Sequence, residues 1–313
     1  MKSPFFIAKK KLIAFSVKLL IAVLVAWALY RQVFAKQELD EIYRSFQVHF
    51  RFPNLLWLVA VVLLAPVNLG FEALKFRQLI RSFSSIGFWK TYRAILAGVA
   101  IAIFTPNRVG EYGGRVLFVE REHGWKAVVA TMVGSMSQLL VLLSVGLVGA
   151  GYFSWRFLQP EPYVLAMAIC LGLLLVSLLL FGFFNIDLLV PVAKRIPHID
   201  KFRKYLRHLD VLKNYTAREL GGALGFAFLR YLTYSTQYFF LLQFFEIPAA
   251  WLPGMAGIAA IFLVQASIPL PPVMGLLARS EIALFVWGFF SQDQVGILAA
   301  SFSLFLINIA VPA

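Results

Sequence analysis

The chain has 313 residues, of which 61% are hydrophobic and only 14% charged. Soluble domains carry about 25% charged residues, so a string of water-exposed domains is excluded and most of the surface must face lipid. The net charge of +14 does not signal nucleic acid, because the basic residues sit at the ends of apolar runs and no recognition module accompanies them.

The first apolar stretch, 12–30, follows Lys9, Lys10 and Lys11. It has the layout of a signal sequence, but Lys18 interrupts it and no small-x-small cleavage site follows, so it reads as an uncleaved first span. Further full spans are expected at 54–71, 127–150, 163–185, 220–245 and 294–313. Each approaches the roughly 20 residues that cross a ~30 Å hydrocarbon core at about 1.5 Å per residue. Two other apolar regions, 94–118 and 254–290, are broken by Pro, Gly and charge. In the earlier one, 94–104 would reach only ~16 Å, the length of a re-entrant half-helix. Segments 38–51 and 199–218 place apolar residues at helical spacing opposite charges, as in helices lying in the headgroup plane or packed on the bundle. The chain is therefore read as one all-α membrane domain over 1–313: a polytopic helix bundle with two broken, re-entrant hairpins. Its last run stops at Val311, Pro312 and Ala313 with no flanking charge, as in a chain that continues further.

With the N-terminus cytoplasmic, and each hairpin returning to its own side, 22 of the 29 Lys and Arg residues fall inside. That bias predicts a multi-pass protein of the cell (inner) membrane with its N-terminus in the cytoplasm. Cys170 is alone, so no intrachain disulfide forms, and it is expected to pack in its span. The four histidines lack metal-ligand spacing, and no metal or cofactor is expected.

Chemistry concentrates where the apolar pattern breaks. Pro106 disfavours helix at Thr105 and can open a new one, for which Asn107 is a suitable N-cap. That helix start would present free N–H groups, and Arg108 and Arg115 would add full charges. Glu111 lies on the same face as both arginines. Gly110, Gly113 and Gly114 allow close approach of a backbone or a headgroup. The arrangement suits a phosphate-bearing headgroup; the plainer alternative is an interfacial turn holding a structural Glu–Arg pair. A second break at Pro269, Pro271, Pro272 and Gly275 precedes Arg279, Ser280 and Glu281, with Ser280 a candidate helix cap. Two broken hairpins entering from opposite faces is the pattern of inverted-repeat transporters.

Polar residues inside the spans add a third signal. Arg230, Thr233, Tyr234 and Gln237 share one helical face, and Arg230 lies ~15 Å into its span, too deep to snorkel easily. Its expected partner is Glu111, Glu281 or a lipid phosphate. Thr131, Ser135 and Gln138 share a face, as do Asn68, Glu72 and Lys75; these read as interhelical hydrogen bonding. No P-loop, dinucleotide fingerprint, zinc motif or nucleophile elbow is present.

The run Pro106, Asn107, Arg108, Val109, Gly110, Glu111 through Arg115 resembles the lysylphosphatidylglycerol synthase transmembrane-region family, whose members carry Pro-x-Arg-x-Gly-Glu after a short apolar segment. The similarity extends over nearly the whole chain, including the polar helix of Thr131 and Gln138 and the late proline-rich break before a Glu. That second break departs from the family's Pro-x-Pro-Gly-Gly-x-Gly, keeping Pro269, Pro271 and Pro272 but only Gly275. The resemblance implies the flippase-like half of the aminoacyl-lipid enzymes, without their separate soluble transferase domain.

The expected function is binding or flipping of an anionic or polyprenyl-phosphate lipid. Asn107, Arg108, Gly110, Glu111 and Arg115 would form one wall of the headgroup site; Arg230, Gln237, Arg279 and Glu281 would form the other. The alternatives are a membrane-embedded lipid headgroup or glycosyl transferase, with Glu111 or Glu281 as acid/base, and a non-transporting subunit of a lipid or polysaccharide assembly. Nothing in the sequence identifies a protein partner.

Overall fold

The computed structural model describes residues 50–103, 105, 109–188, 190–191, 207–267 and 272–312, and these are helical or in turns. The first span at 12–30, most of the segment 38–51 and the first half of 199–218 lie outside the described residues. So do Asn107, Arg108, Pro269 and Pro271.

In chain order the helices are α1 (Leu55–Ile80), α2 (Phe88–Ile103), α3 (Gly110–Val116), α4 (Gly124–Phe153), α5 (Pro162–Phe184), α6 (Ala217–Phe244), α7 (Trp251–Ser267), α8 (Pro272–Trp287) and α9 (Gln294–Phe305). Short local signals place several of their starts. Thr216 and Glu219 form a reciprocal capping box that opens α6. Pro162 occupies the first turn of α5, where a missing N–H costs nothing. Asp293 accepts the Gly296 N–H at 2.9 Å and caps α9.

Among the described residues, three helices are long and apolar enough to cross a membrane: Leu55–Ile80, the continuous run Arg121–Leu158, and Pro162–Phe184. They contain the spans expected at 54–71, 127–150 and 163–185. The region 220–245 lies in a 28-residue helix of sufficient length, but its polar residues hold down its hydropathy. The region at 294–313 begins with a helix of only 12 residues, followed by a π turn, Leu306–Ala310. α5 buries only Phe183 and turns its other apolar side chains outward. Cys170 lies exposed on that helix, so it does not pack in the interior as expected.

The frame is an antiparallel pair, α1 against α6. Polar side chains tie the two helices at each level. Asn54 Nδ2 donates to Glu246 at 2.6 Å, Gln237 Nε2 to the Val61 carbonyl at 2.9 Å, and Gln78 Nε2 to the Glu219 carbonyl at 2.8 Å. Tyr215 closes the series by donating to the Leu79 carbonyl at 2.9 Å. Burial raises the Tyr215 phenol pKa, and the Glu219 carboxylate adds to the effect, so the donor keeps its proton. α4 lies across this pair and packs on α7 through small residues: a Cβ on Gly149 would come within 2.4 Å of the Ala259 Cβ.

Both broken regions consist of two helices separated by a break. α2 starts at Phe88, six residues before the expected region begins, and has 16 residues. It reaches ~24 Å rather than ~16 Å. α3 packs back on α2 with almost no room between them: a Cβ on Gly114 would lie 2.5 Å from Gly98 Cα. In the second region α8 begins at Pro272, which leaves Ser280 well inside the helix and buried rather than at a cap.

Candidate functional site

Glu72 sits on the inner face of α1, 3% exposed, one turn after Asn68 and just before Lys75. Three cations from three helices converge on it. Lys75 Nζ lies 2.7 Å from Oε2, Arg115 Nη2 of α3 lies 2.8 Å from Oε1, and Arg230 Nη1 of α6 lies 2.9 Å from Oε2. Arg115 also pairs with Glu111, one turn before it on α3, and stacks over the Phe76 ring with its guanidinium carbon 5.3 Å from the centroid. With three cations on two carboxylates, the described residues of the cluster carry one surplus positive charge. Ionised groups buried this deeply are held only by mutual pairing and hydrogen bonds.

Amides fill the remaining positions. Arg230 Nε donates to Asn68 Oδ1 at 3.2 Å, and Asn68 Nδ2 donates to Asn308 Oδ1 at 2.8 Å. Gln138 Oε1 accepts from Lys75 and from Arg230, each at 3.4 Å. Thr131 and Ser135, on the same face as Gln138, instead donate to their own helix at the carbonyls of Ala127 and Thr131. That stripe divides: two members bond locally and one reaches the cluster.

A cavity of about 270 Å³ opens beside the cluster between α1, α4, α6, α7 and α8. Arg230 and Arg279 line it, together with Asn68, Gln138, Tyr234 and Gln265. Among the described residues no carboxylate lines this space, and Arg279 has no ion-pair partner. Arg230, with 24% of its side chain exposed, connects cluster to cavity.

The expected site residues therefore separate into groups. Arg115, paired with Glu111, and Arg230 meet on Glu72 rather than standing in two opposed walls. Arg230 finds its partner in Glu72 and Asn68, not in Glu111 or Glu281. Arg115 is 2% exposed and engaged on two carboxylates, so it does not point into open space. Gln237 is fully buried, donates to the α1 backbone, and does not line the cavity. Arg279 faces the cavity, whereas Glu281 is exposed and does not line it. The helix start expected at Asn107 lies outside the described residues; in the described helix α3 Val109 holds the cap position, and the Gly110 N–H donates to Thr105 Oγ1 at 2.8 Å. α3 has seven residues, and Gly110 has its backbone pressed on Ile101, where a Cβ would meet the carbonyl oxygen at 2.6 Å. Gly110 thus serves helix packing.

Glu72 itself was missed as a site residue. Its spacing from Asn68 and Lys75 was visible, but that face near the end of an expected span read as interhelical hydrogen bonding. Only because α1 continues to Ile80 does Glu72 lie two turns inside the helix.

The model of one protein family, the Lysylphosphatidylglycerol synthase TM region, matches residues 14–312. Neither a curated protein nor a solved structure matches the chain.

Proposed function

The chain belongs to the lysylphosphatidylglycerol synthase TM-region family and is a multi-pass integral membrane protein; from that premise we propose that it binds and translocates a phosphate-bearing lipid in the manner of a flippase. The observation that carries this reading is the cavity with Arg230 and Arg279 in its wall and no carboxylate among its described lining residues. Such a wall attracts an anion. Its volume, about 270 Å³, approaches the ~300–1,000 Å³ of small-molecule sites and suits a headgroup better than a whole lipid. Glu72 orients Arg230 toward the space, and the surplus charge of the cluster adds to the attraction. An acyl chain would remain in the bilayer.

In this reading the α2–α3 and α7–α8 pairs are re-entrant hairpins. The end of the bundle holding Arg77, Arg81, Arg121, Lys126 and Arg218 faces the cytoplasm.

Reconstitution tests the proposal. Liposomes containing the purified protein should expose labelled phosphatidylglycerol to an external quencher at least about tenfold faster than empty ones. Arg279→Gln and Arg230→Gln should each remove most of that acceleration, with size-exclusion profiles unchanged. Equal rates with and without protein, or wild-type rates in both folded variants, would sink it. Recovery of a chemically altered lipid would instead favour a transferase.

A further inference from the structure

A second cleft, of about 880 Å³, opens where the last turn of α1 meets the first turn of α6. It shares no lining residue with the central cavity. Arg77 and Arg81 reach it from the end of α1, Arg218 from the start of α6, and Ser84 from the turn that follows α1. The two helix ends are tied by the Gln78–Glu219 and Tyr215–Leu79 hydrogen bonds, so the three arginines stand on one frame.

Their charge is offset only in part. Glu219, the carboxylate in the lining, is committed to the capping box: Oε2 accepts the Thr216 N–H at 2.9 Å and its hydroxyl at 3.0 Å. Among the described residues none of the three arginines has a carboxylate partner. Three exposed arginines alone would describe a basic face resting on anionic headgroups. Ser84 distinguishes this cleft from such a face. It is 6% exposed, and its Oγ has no hydrogen-bond partner among the described residues. A buried hydroxyl without a partner is destabilising, and an acceptor oxygen entering the cleft relieves it.

We propose that this cleft binds a phosphoryl anion, carried on a lipid headgroup or on a soluble phosphate compound, at a site separate from the central cavity. Arginine forks match phosphate oxygens in pairs, and the Ser84 hydroxyl supplies a donor at the inner end. The volume accommodates two linked phosphoryl groups. The inference stands whether or not the protein translocates lipid.

The test uses the full chain in nanodiscs. In discs of neutral phosphatidylcholine, inorganic pyrophosphate is titrated by calorimetry. In discs containing phosphatidylglycerol, retained anionic lipid is counted by native mass spectrometry. The variants are the double substitution Arg81→Gln with Arg218→Gln, Ser84→Ala, and Arg279→Gln in the central cavity. A soluble ligand is indicated by pyrophosphate binding that weakens at least about tenfold in the double variant and several-fold in Ser84→Ala, but not in Arg279→Gln. A lipid ligand is indicated when the double variant and Ser84→Ala each lower retained lipid further in an Arg279→Gln background, without pyrophosphate binding. The proposal is overturned if neither signal responds to the double variant, if Ser84→Ala matches wild type, or if Arg279→Gln weakens pyrophosphate binding as much as the double variant does.

Discussion

Replacing the Glu72 carboxylate would leave Lys75, Arg115 and Arg230 close together, with Glu111 the remaining described carboxylate at the cluster. Breaking a buried ion pair by removing one partner costs about 3–5 kcal/mol, because the surviving charge stays buried. Glu72→Gln is therefore expected to lower the thermal unfolding midpoint in detergent well below that of a surface change such as Glu120→Gln, whose side chain is 70% exposed. An unchanged midpoint would show that the cluster is not held by charge. Gln138 and Gln237 show why residue type alone does not assign a role. Both are glutamines within apolar helices, yet one accepts from the Lys75 and Arg230 cations and the other donates to a backbone carbonyl. The difference is which neighbouring helix each meets, and that was not legible from either glutamine.

Where elements meet, close approach decides what is tolerated. Gly113 and Gly114 are adjacent in α3 and have opposite environments. A Cβ on Gly114 would collide with the Gly98 backbone, while one on Gly113 meets nothing within 4 Å. Gly114→Ala should therefore cost about 1–3 kcal/mol through forced separation of α2 and α3. Gly113→Ala should be neutral, or gain up to ~1 kcal/mol from helix propensity. Paired melting curves check both. The α6 start supplies a further case: Thr216→Ala removes the capping box and should cost ~1 kcal/mol, read in the same way. The division of each of these regions into two helices was legible because Pro and Gly interrupt local helix geometry. The helix bounds were less so, since α2 begins in the polar-flanked sequence at Phe88 and α1 runs on through Glu72 and Lys75.

For the whole molecule, the charges at the two ends of the bundle differ. The end formed by the close of α1 and the starts of α4 and α6 is rich in arginine and lysine. Lys75 and Arg115 were counted toward that bias, but both are buried in the cluster and contribute nothing to orientation. The remaining cations still predict that this end is cytoplasmic. In a Cys170→Ser background, Arg218→Cys should resist a membrane-impermeant maleimide in intact cells and react after lysis. Glu246→Cys, at the opposite end of the α1–α6 pair, should react in both. The reverse pattern would invert the proposed orientation.

The sequence by itself determined that the chain is a helical membrane protein, roughly where its apolar helices run, and where two of them break. Those properties follow from composition and from short-range rules, the length of an apolar run and the backbone limits of Pro and Gly. Only the tertiary structure decided that Glu72 collects Lys75, Arg115 and Arg230, that Glu281 stays out of the cavity wall shared by Arg230 and Arg279, and that Gln237 belongs to the α1–α6 frame. Those assignments depend on contacts between residues up to about half the chain apart, such as Glu72 with Arg230. Pairing there is set by how the helices pack, which no local pattern records.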